Sequence, residues 1–119
     1  MNKIWAIVFT LVISPPITAH AADAGETLYK QRCIVCHKTS PDKAASIGPN
    51  LRGVVGRPAG STEFRYSTAL TKSRLKWDSK TLDAYLTAPS KLVPGTRMVV
   101  SVPDAKQRAA LISYLATLR

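Results

Sequence analysis

The chain of 119 residues contains few side chains that bind metals or form cross-links, since it has two Cys, two His and two Met. The cysteines, Cys33 and Cys36, stand close together and directly precede His37. These three residues are too crowded in sequence to form the usual pair of zinc knuckles. A thioredoxin-type dithiol requires a βαβ setting, and the sequence shows none. The number and spacing of these residues therefore disfavour a zinc site, and a redox dithiol remains as an alternative.

The sequence also lacks an apolar run that could cross a bilayer. The run from Ile4 to Ile13 has about half of the length that a spanning helix requires. It follows Lys3, is ended by Pro15-Pro16 and precedes the small-x-small sequence Ala19-His20-Ala21. This arrangement predicts a signal peptide over residues 1–21 and a mature domain over residues 22–119. We expect export to the periplasm without stable membrane insertion; an uncleaved anchor is the alternative.

Acidic residues are scarce, because 7 Asp and Glu stand against 17 Lys and Arg, for a formal net charge of +10 at pH 7. The basic residues are scattered and form no long run. Charge alone would allow nucleic-acid binding, but the predicted signal peptide argues against it. An acidic protein partner, attracted by the long-range field, is the better interpretation. A generic solubilising surface is the alternative.

What the sequence does contain is the pentapeptide Cys33-Ile34-Val35-Cys36-His37, the attachment signature of a c-type haem. The two thiols add to the two vinyl groups of the porphyrin, and the histidine binds the iron as the proximal ligand. On a helix, the spacings of three and four would project all three side chains from one side. The motif predicts one covalent haem c, which leaves no cysteine for a disulfide.

Removal of the signal peptide would also remove Met1 and His20. The mature protein would then hold one histidine, His37, and one methionine, Met98.

The fold class is predicted to be all-α, with three to five helices and long loops, because no repeat or strand-like alternation is present. The stretch from Ser40 to Gly60 is too rich in Gly and Pro for regular structure and is expected to wrap around the cofactor. Pro89 is expected to end the third helix, and Leu92 to Met98 to be extended. The predicted helices run from Asp23 to His37, from near Ser67, from an Asp78-Ser79 cap to Leu86, and from a capping box at Ser101 and Asp104 towards the C-terminus.

These motifs together resemble the class I c-type cytochromes, the family of mitochondrial cytochrome c and its soluble bacterial relatives. The resemblance covers nearly the whole mature chain and implies the cytochrome c fold around a covalent haem. It rests on Cys33 to His37, Gly48-Pro49-Asn50-Leu51, Trp77, Tyr85-Leu86 leading to Pro89, Pro94-Gly95-Thr96-Arg97-Met98, and Leu111 to Leu115.

The resemblance implies a role for each matching residue near the iron. His37 would be the proximal ligand, with its other ring nitrogen hydrogen-bonded to the carbonyl of Pro49. Met98 would be the distal ligand, and its soft, neutral thioether favours ferrous iron. Tyr85 would donate a hydrogen bond to the Met98 sulfur. A plain core position for Tyr85 and a buried apolar position for Met98 are the alternatives.

The resemblance also implies roles at the haem propionates and at the crossing of the terminal helices. Arg57, Tyr66 and Trp77 would supply the donors that buried carboxylates require, although Arg57 could instead be a solvated loop residue. The helix crossing would involve Gly25, Tyr29 and Tyr114.

Two positions depart from the mitochondrial pattern. Leu70 stands where those proteins have a polar Asn, which predicts a drier pocket. Ser90 replaces a lysine, so the basic rim at the presumed haem edge has one positive charge fewer. The remaining rim residues are Arg32, Lys38, Lys91 and Arg97.

The leading functional hypothesis is a soluble, monomeric periplasmic electron carrier that docks transiently on an acidic reductase and then on an oxidase. With both axial positions filled, no enzymatic activity is expected. The alternatives are a haem subunit or dedicated acceptor of a periplasmic dehydrogenase, a haem enzyme or gas sensor with a vacant distal site, and a haem-free thiol oxidoreductase.

Overall fold

The computed structural model describes residues 8–14 and 17–119 of the chain. Lys3, the first part of the predicted apolar run and Pro15-Pro16 lie outside the described residues. Five helices form within the described range, and the only strand-like pairing there is a single bridge between Pro58 and Lys76. The predicted all-α class is confirmed. The helices are Ile17–Arg32 (α1), Thr68–Lys72 (α2), Ser79–Thr87 (α3), Pro89–Leu92 (α4) and Ala105–Thr117 (α5).

The terminal helices α1 and α5 pack directly against each other. Gly25 is buried at the crossing, and the rings of Tyr29 and Tyr114 lie 5.6 Å apart. The predicted contact between these three residues is therefore confirmed. The hydroxyl of Tyr29 also donates to the carbonyl of His37 at 2.8 Å. The helix pair thus positions the segment that follows α1.

Helix α3 forms where the apolar spacing predicts it. The carboxylate of Asp78 caps the helix by accepting from the Thr81 amide at 2.8 Å. The predicted core face, made of Leu82, Tyr85 and Leu86, is buried. An ion pair between Asp83 and Arg108, 2.8 Å long, connects α3 to α5. These contacts hold α3 along one wall of the core.

Three predicted helix boundaries are wrong. Helix α1 begins at Ile17 and not at Asp23, and it ends at Arg32, so that the segment from Cys33 to His37 follows as turns instead of continuing the helix. Helix α3 does end ahead of Pro89, but Pro89 also begins α4, because its missing N–H is not needed in the first turn of a helix; Leu92, expected to be extended, belongs to α4. The cap of α5 is Asp104, which accepts from the Gln107 amide at 2.8 Å, so Ser101 is not the capping residue.

None of the helices within residues 17–119 has the length and apolarity to cross a membrane. Residues 8–14 form no regular structure and are exposed. The segment Ala19-His20-Ala21, predicted to contain the cleavage site, belongs to α1.

Candidate functional site

A cavity of about 410 Å³ lies in the middle of the fold, within the usual size range of cofactor sites. Its walls are mostly apolar and come from the end of α1, from α2, α3 and α5, and from the loops between them, whereas α4 contributes no lining residue. All nine residues that the sequence singles out as site residues line this one cavity. They are Cys33, Cys36, His37, Pro49, Arg57, Tyr66, Trp77, Tyr85 and Met98.

The attachment segment, residues 33–37, is shaped by turns. The amide of Cys33 still donates to Tyr29 at 2.8 Å, and the amides of Cys36 and His37 both donate to the Cys33 carbonyl at 3.1 and 3.0 Å. Both cysteines line the cavity, while Ile34 lies outward and is 53% exposed. The turns therefore achieve the common orientation of the two thiols that a continued helix was expected to provide.

The thiols have the character of structural cysteines rather than of a redox dithiol. Cys33 and Cys36 are free and half-buried. Burial raises the pKa of the Cys33 thiol, and the nearby Arg32 only partly opposes this effect. Reactive dithiols have lowered thiol pKa values. The environment of Cys33 therefore disfavours the thiol oxidoreductase.

His37 is held in a defined tautomer. Its Nδ1 lies 2.7 Å from the carbonyl oxygen of Pro49, which confirms the predicted contact. Because a carbonyl can only accept, Nδ1 carries the proton and Nε2 keeps a free lone pair. Burial lowers the pKa of His37 and outweighs the Pro49 hydrogen bond, which acts in the opposite direction. A neutral imidazole with a free Nε2 is the form that binds a metal.

The loop after the attachment segment is hydrogen-bonded back to it. The Gly48 amide donates to the Cys36 carbonyl at 2.7 Å, and the Leu51 amide donates to the Lys38 carbonyl at 2.9 Å. Gly48 must be glycine, because a Cβ there would lie 2.6 Å from His37 Cε1. This close approach sets Pro49 beside the imidazole.

Asn50 organises the same loop, and sequence reasoning assigned it no role. It is 2% exposed and donates to the carbonyls of Ser40 and Ala44 at 3.1 and 3.0 Å. Its side-chain oxygen accepts from the Arg52 amide at 2.9 Å. The Gly-Pro-Asn order was the available signal, since Asn side chains commonly hydrogen-bond the backbone in turns.

The three predicted propionate partners come together at one wall of the cavity. Arg57 donates from Nη2 to the Asn50 carbonyl at 2.8 Å, which fixes its guanidinium in the loop. Burial lowers the pKa of Arg57, although guanidinium stays protonated in proteins. The Tyr66 hydroxyl is hydrogen-bonded to Thr62. Arg57, Tyr66 and the buried Trp77 thus line the same cavity, and their role as propionate partners stays a prediction.

Met98 is half-buried and lines the cavity together with His37. Tyr85 differs from the expectation in its hydrogen bond. Its hydroxyl pairs with Thr96 Oγ1 at 2.6 Å, and no hydrogen bond joins it to the Met98 sulfur in the described part of the chain, so the implied bond stays a prediction. Burial raises the pKa of Tyr85. Tyr85 supports the Met98 loop through Thr96.

The cavity wall is dry, and its charged groups are all of one sign. Leu70, the expected apolar departure, is 9% exposed and lines the cavity. No Asp or Glu of residues 8–14 or 17–119 contributes to the lining, whereas three arginines do. The exposed part of the lining forms what we call the rim, which consists of Arg32, Ile47, Arg97, Val99 and Val100.

The residues present fit the covalent haem that the sequence implies. Two thiols, a neutral imidazole and a thioether surround one apolar cavity, with guanidinium and indole donors for carboxylates. Thiols, imidazole and thioether are the protein groups that hold c-type haem. The cavity and its donor set therefore match this group in size, polarity and chemistry.

Comparison with known proteins agrees with this chemistry. A family model described as Cytochrome c matches residues 22–119. Cytochrome c-type cyt cy of Rhodobacter capsulatus is 41% identical over 108 residues, which cover 89% of this chain and 53%, about half, of that protein's length. Cytochrome c2 of Rhodomicrobium vannielii is 45% identical over 95 residues, covering 78% of this chain and 75% of that protein. The solved structure of cytochrome cH from Methylobacterium extorquens aligns with a TM-score of 0.75 at 40% identity, over 81% of this chain and 97% of that one.

Proposed function

Because this chain belongs to the cytochrome c family, we propose that it is a periplasmic one-electron carrier with one covalent haem c and with His37 and Met98 as its axial ligands. One observation carries the proposal. His37, with Nδ1 bonded to Pro49 at 2.7 Å, and Met98 line the same apolar cavity as both cysteines. Bound haem supplies an iron that accepts and releases one electron at a time.

The cysteines and the axial residues hold the haem through different kinds of bond. Cys33 and Cys36 form the two thioether bonds and prevent loss of the group during repeated encounters with partners. The Pro49 carbonyl fixes the tautomer and orientation of His37, while burial of the ring favours its neutral form. Met98 would supply a neutral sulfur ligand, which favours the reduced state of the iron.

The cavity wall keeps water out and neutralises carboxylates. Apolar side chains such as Leu70 form most of the lining, so charge on the iron is not compensated by solvent. Arg57, Tyr66 and Trp77 provide the donors that buried propionates need. The cluster thus compensates the negative charge that a dry pocket would otherwise destabilise.

The rim suits an acidic redox partner. Arg32 and Arg97 contribute positive charge, while Ile47 and Val99 are 72% and 84% exposed. Scattered basic residues steer an acidic surface towards the rim, and the aliphatic groups allow close contact once docked. A basic ring around an apolar contact favours brief, salt-sensitive encounters.

A second candidate function is that of a haem subunit or dedicated acceptor of a periplasmic dehydrogenase. The exposure of Ile47 and Val99 favours it, because clustered apolar groups at a surface mark lasting interfaces. Stable co-purification with one dehydrogenase at high salt would support this function, whereas isolation as a free monomer would support the mobile carrier.

The test is an optical spectrum of the haem-loaded protein in both redox states, with Met98→Ala beside the parent. We expect the parent to show the weak charge-transfer absorption of a ferric Met–sulfur bond near the red edge of the visible spectrum, and to bind no carbon monoxide when reduced at neutral pH. Met98→Ala should lose the band, lower the potential, and gain carbon monoxide binding and peroxidase activity.

The control is Val99→Ala, which truncates an exposed rim neighbour and should keep the band. A parent that lacks the band and binds carbon monoxide rapidly would contradict the carrier proposal. The haem enzyme or gas sensor would then be the better description.

A further inference from the structure

A single hydrogen bond joins the two chain segments that carry the proposed axial ligands. Arg32, the last residue of α1, donates from Nη2 to the Ser101 carbonyl at 3.0 Å. Arg32 directly precedes the attachment segment, and Ser101 lies shortly after Met98. Within the described part of the chain, no other hydrogen bond connects residues 32–38 with residues 93–104. The bond therefore closes one side of the cavity.

The Met98 segment, residues 93–104, is otherwise held at its two ends. On the N-terminal side, Thr96 is bonded to Tyr85 at 2.6 Å and Arg97 donates to the Arg65 carbonyl at 2.7 Å. These contacts fix the chain immediately before Met98.

On the C-terminal side, the Val102 amide donates to the Leu86 carbonyl at 2.7 Å. Arg108, itself paired with Asp83, donates to the carbonyls of Val102 and Pro103 at 3.0 and 2.8 Å. These bonds anchor the end of the segment firmly to α3 and α5.

Between the two anchored ends, residues 98–100 take part in no hydrogen bond to any part of the chain that the structure describes. Val99 is 84% exposed, so packing restrains this stretch weakly. The peptide unit between Ser101 and Val102 is consequently the first anchored group after Met98, held by Leu86 through its amide and by Arg32 through its carbonyl. Of these two bonds, the one to Arg32 connects it to the end of α1.

We infer that Arg32 is a positioning residue that keeps Met98 in place by clasping the Met98 segment to the end of α1; the inference rests on the proposed Met98 ligation. Loops with few hydrogen bonds open locally without unfolding of the domain. Loss of the Arg32 bond should make such openings more frequent, so that Met98 leaves the iron more often. Because Arg32 is exposed, its loss should leave the helices in place.

The experiment measures opening through ligand exchange on the ferric, haem-loaded protein. At saturating imidazole, the rate at which the Met–sulfur charge-transfer absorption disappears is the rate at which Met98 dissociates. Arg32→Gln should raise this rate about two- to tenfold, which is the effect of losing one ordinary hydrogen bond. The urea midpoint from far-ultraviolet circular dichroism should fall by no more than the loss of this same hydrogen bond accounts for, because the bond is absent from the unfolded chain too.

The matched control is Lys106→Gln. Lys106 is exposed, lies close in sequence to the Met98 segment, and has no side-chain hydrogen bond or ion pair within residues 17–119. Its replacement removes the same charge, and the exchange rate should not change. This comparison separates the clasp from the general effect of lowering the net positive charge.

The outcomes distinguish this inference from the proposed function. If the parent shows the band but Arg32→Gln exchanges at the parental rate, or Lys106→Gln accelerates exchange equally, the clasp is refuted while Met98 ligation stands. A fall in the stability of Arg32→Gln clearly larger than the change in opening free energy would also refute it, because the residue would then stabilise contacts beyond the Met98 segment. Absence of the band from the parent would overturn Met98 ligation and the clasp together.

Discussion

Gly25 of α1 lies directly against the backbone of Ala110 in α5. A Cβ at Gly25 would stand 2.0 Å from the Ala110 carbonyl oxygen and 2.8 Å from Tyr114 Cβ. Both distances are far inside van der Waals contact, and a helical carbonyl cannot move aside as a flexible side chain can. The missing side chain therefore allows the two helices to cross. Since the attachment segment follows α1, this crossing also determines where the thiols lie.

Gly25→Ala is expected to lower the free energy of unfolding by about 1–3 kcal/mol or more, because overpacking forces the helices apart. The substitution improves helix propensity by about 1 kcal/mol, so a net loss would come from the crossing and not from the helix itself. Urea denaturation followed by far-ultraviolet circular dichroism gives the difference. Ala24→Ser, at the exposed neighbouring position, should be nearly neutral. If Gly25→Ala were as stable as the parent, the prediction would be wrong, because the helices would then accommodate the Cβ at little cost in free energy.

Cys33→Ala and Cys36→Ala should each sharply lower the yield of haem-loaded protein, and the double substitution should abolish covalent attachment. The reason is that the chain contains no other cysteine that could form a thioether. Acid-acetone extraction separates free from covalent haem in each variant. Ile34→Ala, which changes an exposed residue of the same segment, is the control. Haem that resists extraction in the double variant would rule out attachment through these thiols.

The mature N-terminus is expected at Ala22 or within a residue or two of it. From His20 onward, Gly25 is the first buried position of α1, so cleavage after Ala21 would leave the packed part of the helix complete. The intact mass of the protein from the periplasmic fraction checks this. A mass that includes Met1 to Ala21 would contradict the predicted signal peptide and favour the uncleaved anchor.

Electron transfer to an acidic partner should slow as ionic strength rises. The Debye length is about 10 Å at 0.1 M salt, so added salt screens the steering field of the basic surface. Lys38→Gln, Lys91→Gln or Arg97→Gln should lower the association rate more than the reduction potential. Stopped-flow kinetics across a salt series, with potentials measured in parallel, tests both statements.

Lys80→Gln is the comparison variant for the salt series, since it removes one positive charge at the start of α3, outside the set of basic residues that the resemblance places at the haem edge. It should change the association rate less than the substitutions of Lys38, Lys91 and Arg97 do. A rate that does not depend on salt in the parent would leave the basic surface without a steering role.

The parts of the site that the sequence predicted correctly depend on short stretches of chain. The Asp78 cap and the buried triplet of α3 follow from residue spacing within a few turns. The contact of His37 with Pro49 followed from family resemblance, and Gly48, with no room for a Cβ, makes it possible. Such features are encoded locally and are visible without the fold.

Two differences from the expectations involve hydrogen bonds between separate segments of the chain. The spacing of Cys33, Cys36 and His37 suits a helix, but the Gly48 amide binds the Cys36 carbonyl at 2.7 Å and the chain turns instead. Tyr85 was expected to bind the Met98 sulfur, yet Thr96 takes its hydroxyl. Each outcome depends on hydrogen bonds between residues that are far apart in sequence.

The sequence by itself determined the chemistry of this protein: residues 22–119 hold two thiols, one imidazole and one thioether, in an order that identifies their family. Only the tertiary structure decided which groups support them, including Thr96 for Tyr85 and Ser101 for Arg32. The physical reason is the distance along the chain over which each property is determined. Donor type and helix periodicity are properties of a few neighbouring residues, whereas the partner of a particular hydroxyl or guanidinium depends on which backbone groups packing brings within about 3 Å of it.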